Sequence, residues 1–249
     1  MLQAVNDLLQ TASVRLREAG REGLVLIIDG LDKLERRPLE NGRNNTHDRL
    51  FIDRSERLTS LDAHTIYTVP ISLIYSPRYA QCEQVFGEST VPVPMIPVRG
   101  ENRSDPTPDT PGMRKLWDIL VARCAYADVD IAKVFDRPDT GHYLCEMTGG
   151  HPRHLMTFMK ASAGAVDALP ITRTAVEYAL NNSANALLRE VPDRVWPTLQ
   201  VFATPQDDIP KDDDHQQMLL LLHVFEYMNK RPWYEVNPVF RTLAKFQSP

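Results

Sequence analysis

The 249-residue chain has only three cysteines, Cys82, Cys124 and Cys145, and none belongs to a Cys-x-x-Cys pair. That excludes a disulfide framework and a zinc ribbon. Long apolar runs are missing too. No stretch could span a bilayer, and Met1 leads into Gln, Asn and Asp rather than the basic stretch and apolar run of a signal peptide. A cytoplasmic protein with no membrane partner is the expectation. Net basic charge is also absent, with 28 Lys+Arg against 33 Asp+Glu and a formal charge of −5. A generally basic nucleic-acid binder is therefore disfavoured. Only seven of the basic residues are lysine, a compositional bias toward arginine rather than a phosphate-binding surface.

What remains is a chain that is 43% apolar and able to bury real cores, as one large domain or two to three small ones. Leu2, Val5, Leu8, Leu9, Ala12 and Leu16 recur at helical steps over residues 2–19, and Gly20 and Gly23 end that helix. Leu24-Val25-Leu26-Ile27-Ile28 then runs apolar without alternation, which predicts a strand buried on both faces of a parallel sheet. A polar loop from Arg36 to Asn45 precedes helical spacing over 47–61. A second strand is predicted from His64 to Val69, stopped by Pro70, which has no N–H for a ladder. A helix over 71–86, broken or started near Pro77, and a short third strand from Val93 to Val98 complete an alternating α/β layer.

Residues 101–112 form a Pro-, Thr- and Asp-rich linker. Helices are predicted at 113–125, 139–148, 152–166 and 172–188. From 189 the pattern is helices followed by a hairpin, His223–Tyr227 and Trp233–Val236, turning at Asn229-Lys230-Arg231-Pro232, with a last helix starting near Pro238. A winged-helix domain is the expectation. The predicted organisation is thus a partial α/β core over 1–100, the linker, a helical domain over 113–188 and the winged-helix domain over 189–249.

Two segments carry chemistry. The apolar strand ends in Asp29-Gly30-Leu31-Asp32, which places a carboxylate at the carboxyl edge of a parallel sheet, where α/β proteins bind ligands. The bland alternative is that Asp29 caps the following turn and Asp32 is a solvated residue at a helix start. The second segment is Thr148-Gly149-Gly150-His151-Pro152-Arg153. Its glycines allow a tight turn, Pro152 opens the next helix, and Arg153 falls in its first turn. By itself it is also an ordinary helix–helix connection.

In this order the segments resemble the AAA+/STAND P-loop ATPases, including their archaeal-type and origin-recognition-like branches. The resemblance implies a P-loop NTPase core, a helical lid and a winged helix, with ATP and Mg²⁺ as cofactors. Asp29 would orient the metal, and Asp32 would hold or activate the attacking water, since the residue after Asp29 is glycine and not the usual glutamate. His64-Thr-Ile-Tyr-Thr68 looks like the sensor 1 strand, with Thr68 as its polar terminus. Ser76 and Arg78 compete for that role, and Arg78 would be a second contact. Pro152 and Arg153 look like the lid proline and the sensor 2 arginine. The chain departs from the family in lacking any Gly-x-x-x-x-Gly-Lys-Ser/Thr segment, or even a Gly-Lys dipeptide. The family would place that loop upstream of Met1, and without it the β- and γ-phosphates lose their main contacts.

The resemblance therefore implies the nucleotide-sensing part of an ATP-dependent conformational switch, responding to ATP/ADP, with little activity in this chain alone. A protein effector and a homo-oligomer are the partners it allows. A non-catalytic regulatory scaffold from the same ancestry is the competing reading. A winged-helix DNA-binding regulator is third, because residues 187–249 carry seven Lys/Arg against nine Asp/Glu. His142, Cys145, His151 and His154 have spacings compatible with zinc but are better explained by the lid segment. The acidic residues Asp207, Asp208, Asp212, Asp213 and Asp214 are predicted to be a solvated loop and cap.

Overall fold

The computed structural model describes residues 2–39, 44–87 and 90–247. In chain order the elements are α1 (Leu2–Glu18), β1 (Val25–Ile28), α2 (Thr46–Asp48), α3 (Glu56–Thr59), β2 (His64–Tyr67), α4 (Ile71–Ile74) and α5 (Tyr79–Phe86). There follow α6 (Pro111–Tyr126), α7 (Pro138–Met147), α8 (Pro152–Ala163), α9 (Arg173–Glu190), α10 (Trp196–Val201), α11 (Asp213–Leu220), β3 (Val224–Met228), β4 (Pro232–Val236) and α12 (Ala244–Gln247). The protein is mixed α/β and mostly helical, and it divides into two compact units.

The first unit comprises Met1–Pro92 and Lys211–Leu220, so α11 belongs to it although it lies late in the chain. Its sheet is the parallel pair β1–β2, in register Val25↔His64 to Ile28↔Tyr67. The strand over 24–28 was expected to be buried on both faces, and the structure corrects this. Val25 and Ile27 are 55% and 69% exposed, and Ile66 is 55% exposed on β2. One face of the pair is open. The other side of the unit is held by Phe51, Ile52, Leu73 and Cys82, with Leu31, Leu58, Val69 and Phe86 packed around them. The helix expected over 47–61 is instead α2, a π-type turn at Arg49–Asp53, and α3. The next expected helix is divided into α4 and α5 at Ser76-Pro77.

The third strand predicted from Val93 to Val98 does not join this sheet, and the residues belong to the second unit, Val93–Pro210 with Leu221–Pro249. Proline explains the change. Pro92, Pro94 and Pro97 remove three donors within six residues, leaving a segment that cannot fill a central ladder. Its two adjacent donors are both used, Met95 N to Glu226 O at 2.9 Å and Ile96 N to Gly150 O at 3.2 Å. The segment thus covers the outer edge of the β3–β4 hairpin, with Met95 bridging Tyr227, while Gln206 bridges Tyr234 on the other edge.

The antiparallel hairpin pairs Val224↔Val236 to Met228↔Pro232 and is buried over most of its length. Tyr227 stacks on Trp233 with ring centroids 4.2 Å apart. A buried ion cluster ties the 93–105 stretch to it. Arg99 grips the Glu235 carboxylate with Nε at 2.8 Å and Nη2 at 2.6 Å, and Arg241 bonds the same carboxylate. Helices α6 to α9 pack around Leu116, Leu144, Leu155 and Leu180, all wholly buried. The last expected helix is a 3₁₀ turn at Pro238–Thr242 followed by α12.

A buried histidine, His223, and a half-buried one, His154, make this unit's stability acid-sensitive. Burial pushes His223 down to about 4, and burial aided by His151 and Arg153 does the same to His154, from an ordinary 6.5. Between those values the unfolded chain binds more protons than the folded one. The stabilisation is therefore full above pH 6.5 and is lost as pH falls toward 4, by about 3 kcal/mol for each group. Urea unfolding from pH 7 to pH 4 should show the midpoint falling across this window, with a shallower fall in His223→Gln. An unchanged midpoint would contradict the assignment.

Candidate functional site

The site forms where β1 and β2 end together. After Ile28 the chain reaches Asp29 and then Gly30, whose φ of +90° is a left-handed conformation that costs any other residue strain. This turn sets up the short 3₁₀ helix Leu31–Lys33, closed by Lys33 N to Gly30 O at 3.2 Å and Leu34 N to Leu31 O at 3.3 Å. Asp32 rides on it. On the neighbouring strand, Thr68 N donates to Ile28 O at 3.2 Å and carries the parallel ladder one step past β2.

These turns bring Asp29, Asp32 and Thr68 together. Gly30 N–H is shared between Asp29 Oδ1 at 2.8 Å and Thr68 Oγ1 at 2.9 Å. The Thr68 hydroxyl, having accepted from Gly30, donates to Asp32 Oδ1 at 3.1 Å. Its single proton is therefore spent on Asp32, which fixes that carboxylate relative to the strand ends. Asp29 is exposed, so its carboxylate is open to solvent.

Arg78 and Ser76 are engaged elsewhere in the same unit. Arg78 Nη2 donates to Asp53 Oδ1 at 2.8 Å, and Nε donates to Gln81 Oε1 at 3.0 Å. Among the described contacts none joins Arg78 to Asp29, Asp32 or Thr68. Ser76 is buried; its Oγ accepts from Arg78 N at 3.2 Å and lies 3.5 Å from Asp48 Oδ1.

Pro152 and Arg153 belong to the second unit, at the exposed start of α8. The two glycines before them answer to packing. Gly150 has φ +81°, and a Cβ there would lie 1.8 Å from Ile96 O. At Gly149 it would meet the Phe225 ring at 2.5 Å, while the Gly149 carbonyl accepts from Tyr227 Oη at 2.7 Å. His151 caps the helix through Nδ1, which accepts from His154 N at 3.2 Å, and the two imidazoles stack 4.3 Å apart. His142 instead packs on Trp117 at 4.6 Å. Cys145 is wholly buried, its thiol pushed up to about 12 by that burial.

The acidic residues near 207–214 are largely paired. Asp207 binds Arg103, Asp213 binds Arg36 at 2.6 Å, and Asp212 binds His215 at 2.8 Å. No cluster of three or more His, Cys, Asp or Glu is placed to hold a metal ion among the described residues. Asp29 and Asp32 suit Mg²⁺ in one way only. That ion keeps most of its waters and takes one or two carboxylates together with substrate phosphates. The residues present fit the metal side of such a site, and the sequence has no Gly-x-x-x-x-Gly-Lys-Ser/Thr segment to cradle the phosphates.

The residues that brace these turns were not among the sequence candidates. His47 is buried, with Nε2 2.7 Å from Leu34 O and Nδ1 3.2 Å from Ser72 Oγ. Burial lowers its pKa, partly offset by the Leu34 carbonyl. The turn that holds it is capped reciprocally by Asn45 and Asp48. An Asn followed by an acid at the third position is a visible capping signal, obscured here by its place at the end of a polar loop.

Thr68→Val keeps the shape of the side chain and removes the hydroxyl. It should cost about 1 kcal/mol in urea unfolding and speed amide exchange at Gly30. Unchanged exchange at Gly30 would show that the hydroxyl does not hold the turn. Compared with models of known protein families, with curated proteins and with solved structures, the chain matches none.

Proposed function

We propose that the first unit is the metal-side half of a P-loop nucleotide site and the second its helical lid and winged-helix-like sensor. On this reading the chain is the nucleotide-sensing part of a STAND-like AAA+ switch. The observation that carries the proposal is the convergence of Asp29, Asp32 and Thr68 at the carboxyl ends of a parallel strand pair. There Asp29 would orient water-bridged Mg²⁺, Asp32 would hold the attacking water, and Thr68, at the sensor 1 position, would keep Asp32 in place, its hydroxyl reaching a γ-phosphate only by leaving Asp32. The resemblance would give Pro152 and Arg153, exposed at the start of α8 in the second unit, the lid role, while Arg78 in the first unit is held by Asp53 and Gln81.

The open face of the sheet supports the same reading. Parallel strands are ordinarily covered on both sides, and a lone pair of strands is marginal. Val25, Ile27 and Ile66 form a bare apolar stripe that a further strand and its helices would cover. The P-loop would arrive on such a segment. Helix α11 supplies a route to the effector: Asp213 pairs with Arg36 just beyond Asp32, and buried Gln216 donates to Tyr75 O at 3.2 Å. Three residues after α11 the chain enters β3 of the second unit.

The same bonds weigh against DNA recognition. The helix before the hairpin is the one a winged helix would present to a groove, and here α11 is anchored in the first unit. A regulatory scaffold without catalysis is favoured over an autonomous enzyme by one feature: the Thr68 hydroxyl accepts from Gly30 and gives its one proton to Asp32, leaving none for a phosphate. ATP binding by this chain should be weaker than about 1 mM, or about 4 kcal/mol, in calorimetry. Micromolar binding with turnover would overturn the proposal that the phosphate side is lacking.

A further inference from the structure

His47 touches neither Asp29 nor Thr68 in the described contacts, yet it joins the two turns that carry the site. Leu34, whose carbonyl lies 2.7 Å from Nε2, caps the 3₁₀ helix that bears Asp32. Ser72, whose hydroxyl lies 3.2 Å from Nδ1, stands in α4, just past Thr68 and Pro70. Both His47 and Ser72 are 1% exposed. The carbonyl can only accept, so Nε2 carries the proton and Nδ1 accepts from the Ser72 hydroxyl. That neutral tautomer satisfies all three groups. Because Thr68 also bonds Asp32, these three hydrogen-bonded links and the two short chain segments 68–72 and 32–34 together close a ring through Asp32, Thr68, Ser72, His47 and Leu34.

We infer that His47 is the positioning residue of this site, a buried cross-brace that sets the distance between the Asp32 turn and the Thr68 turn. Its functional consequence rests on the reading of Asp29 and Asp32 as metal-side carboxylates; the brace itself does not. The imidazole is rigid and wholly enclosed, so it transmits displacement of one turn to the other instead of absorbing it. α2 is in turn held by the Asn45–Asp48 cap, with Asp48 itself 4% exposed. A side chain that lost either bond would leave a buried acceptor or hydroxyl unpaired and let the two turns move apart.

Three variants test this in the full chain. His47→Phe keeps a ring and removes both bonds, Ser72→Ala removes one, and His47→Gln retains a donor and an acceptor. Two readouts are followed: amide exchange at Gly30 relative to interior amides of α5, and Mn²⁺ affinity from water-proton relaxation. In His47→Phe and Ser72→Ala, Gly30 should exchange faster out of proportion to α5, and Mn²⁺ should bind about tenfold more weakly. His47→Gln should recover most of both. If His47→Phe does not fold, Ser72→Ala decides alone. Failure of the unaltered chain to bind Mn²⁺ would sink the metal reading and leave the exchange ratio to judge the brace. Gly30 exchange that is unchanged, or that moves only in step with α5, would overturn the brace.

Discussion

One hydroxyl proton organises the candidate site. Thr68 Oγ1 accepts from Gly30 and donates to Asp32, so a single side chain joins the end of one parallel strand to the turn that follows its neighbour. The geometry depends on Gly30, because only its left-handed backbone aims the amide across the strand ends while Asp29 remains exposed. Remove either element and the two carboxylates are no longer held relative to the sheet. The buried His47 ring and the capped turn around it then act as a frame outside this pair, which is why a site on a two-stranded sheet can be ordered at all.

The parallel pairing of 25–28 with 64–67 was legible because an apolar run ending in Asp and a β-branched run stopped by Pro70 are local signals. The hairpin and helices α6 to α9 were legible for the same reason: their periodicity, and the prolines that open α6, α7 and α8, lie within each element. The third strand was not, because the alternation of Val and Pro at 91–98 satisfies a hydrophobic pattern while withholding the donors a sheet needs. Burial of β1 was misjudged because an apolar run announces what a strand could cover, not what actually lies against it. His47 escaped notice because its partners are a carbonyl and a hydroxyl distant in sequence, and no spacing rule links them. Gly149 and Gly150 were seen as turn residues, but the stronger reason for them, the approach of Ile96 and Phe225, comes from a segment about fifty residues away in one case and seventy-five in the other.

The two units carry different parts of one proposed device. The first holds carboxylates at strand ends and leaves an apolar sheet face bare; the second builds a buried hairpin with both edges covered and an exposed helix start at Pro152 and Arg153. The covered edges and the Arg99–Glu235–Arg241 cluster tie the hairpin into the second unit. α11 is fixed beside Arg36 and Tyr75 in the first unit.

The central claim is that Asp29 and Asp32 form the metal side of the site. Paramagnetic broadening by Mn²⁺ in nuclear magnetic resonance spectra of the full chain tests it most directly. The account predicts that Gly30, Asp32 and Thr68 broaden first and that Asp29→Asn abolishes the effect. Broadening centred on Asp207–Asp214, or broadening at Gly30 that survives Asp29→Asn, would contradict it.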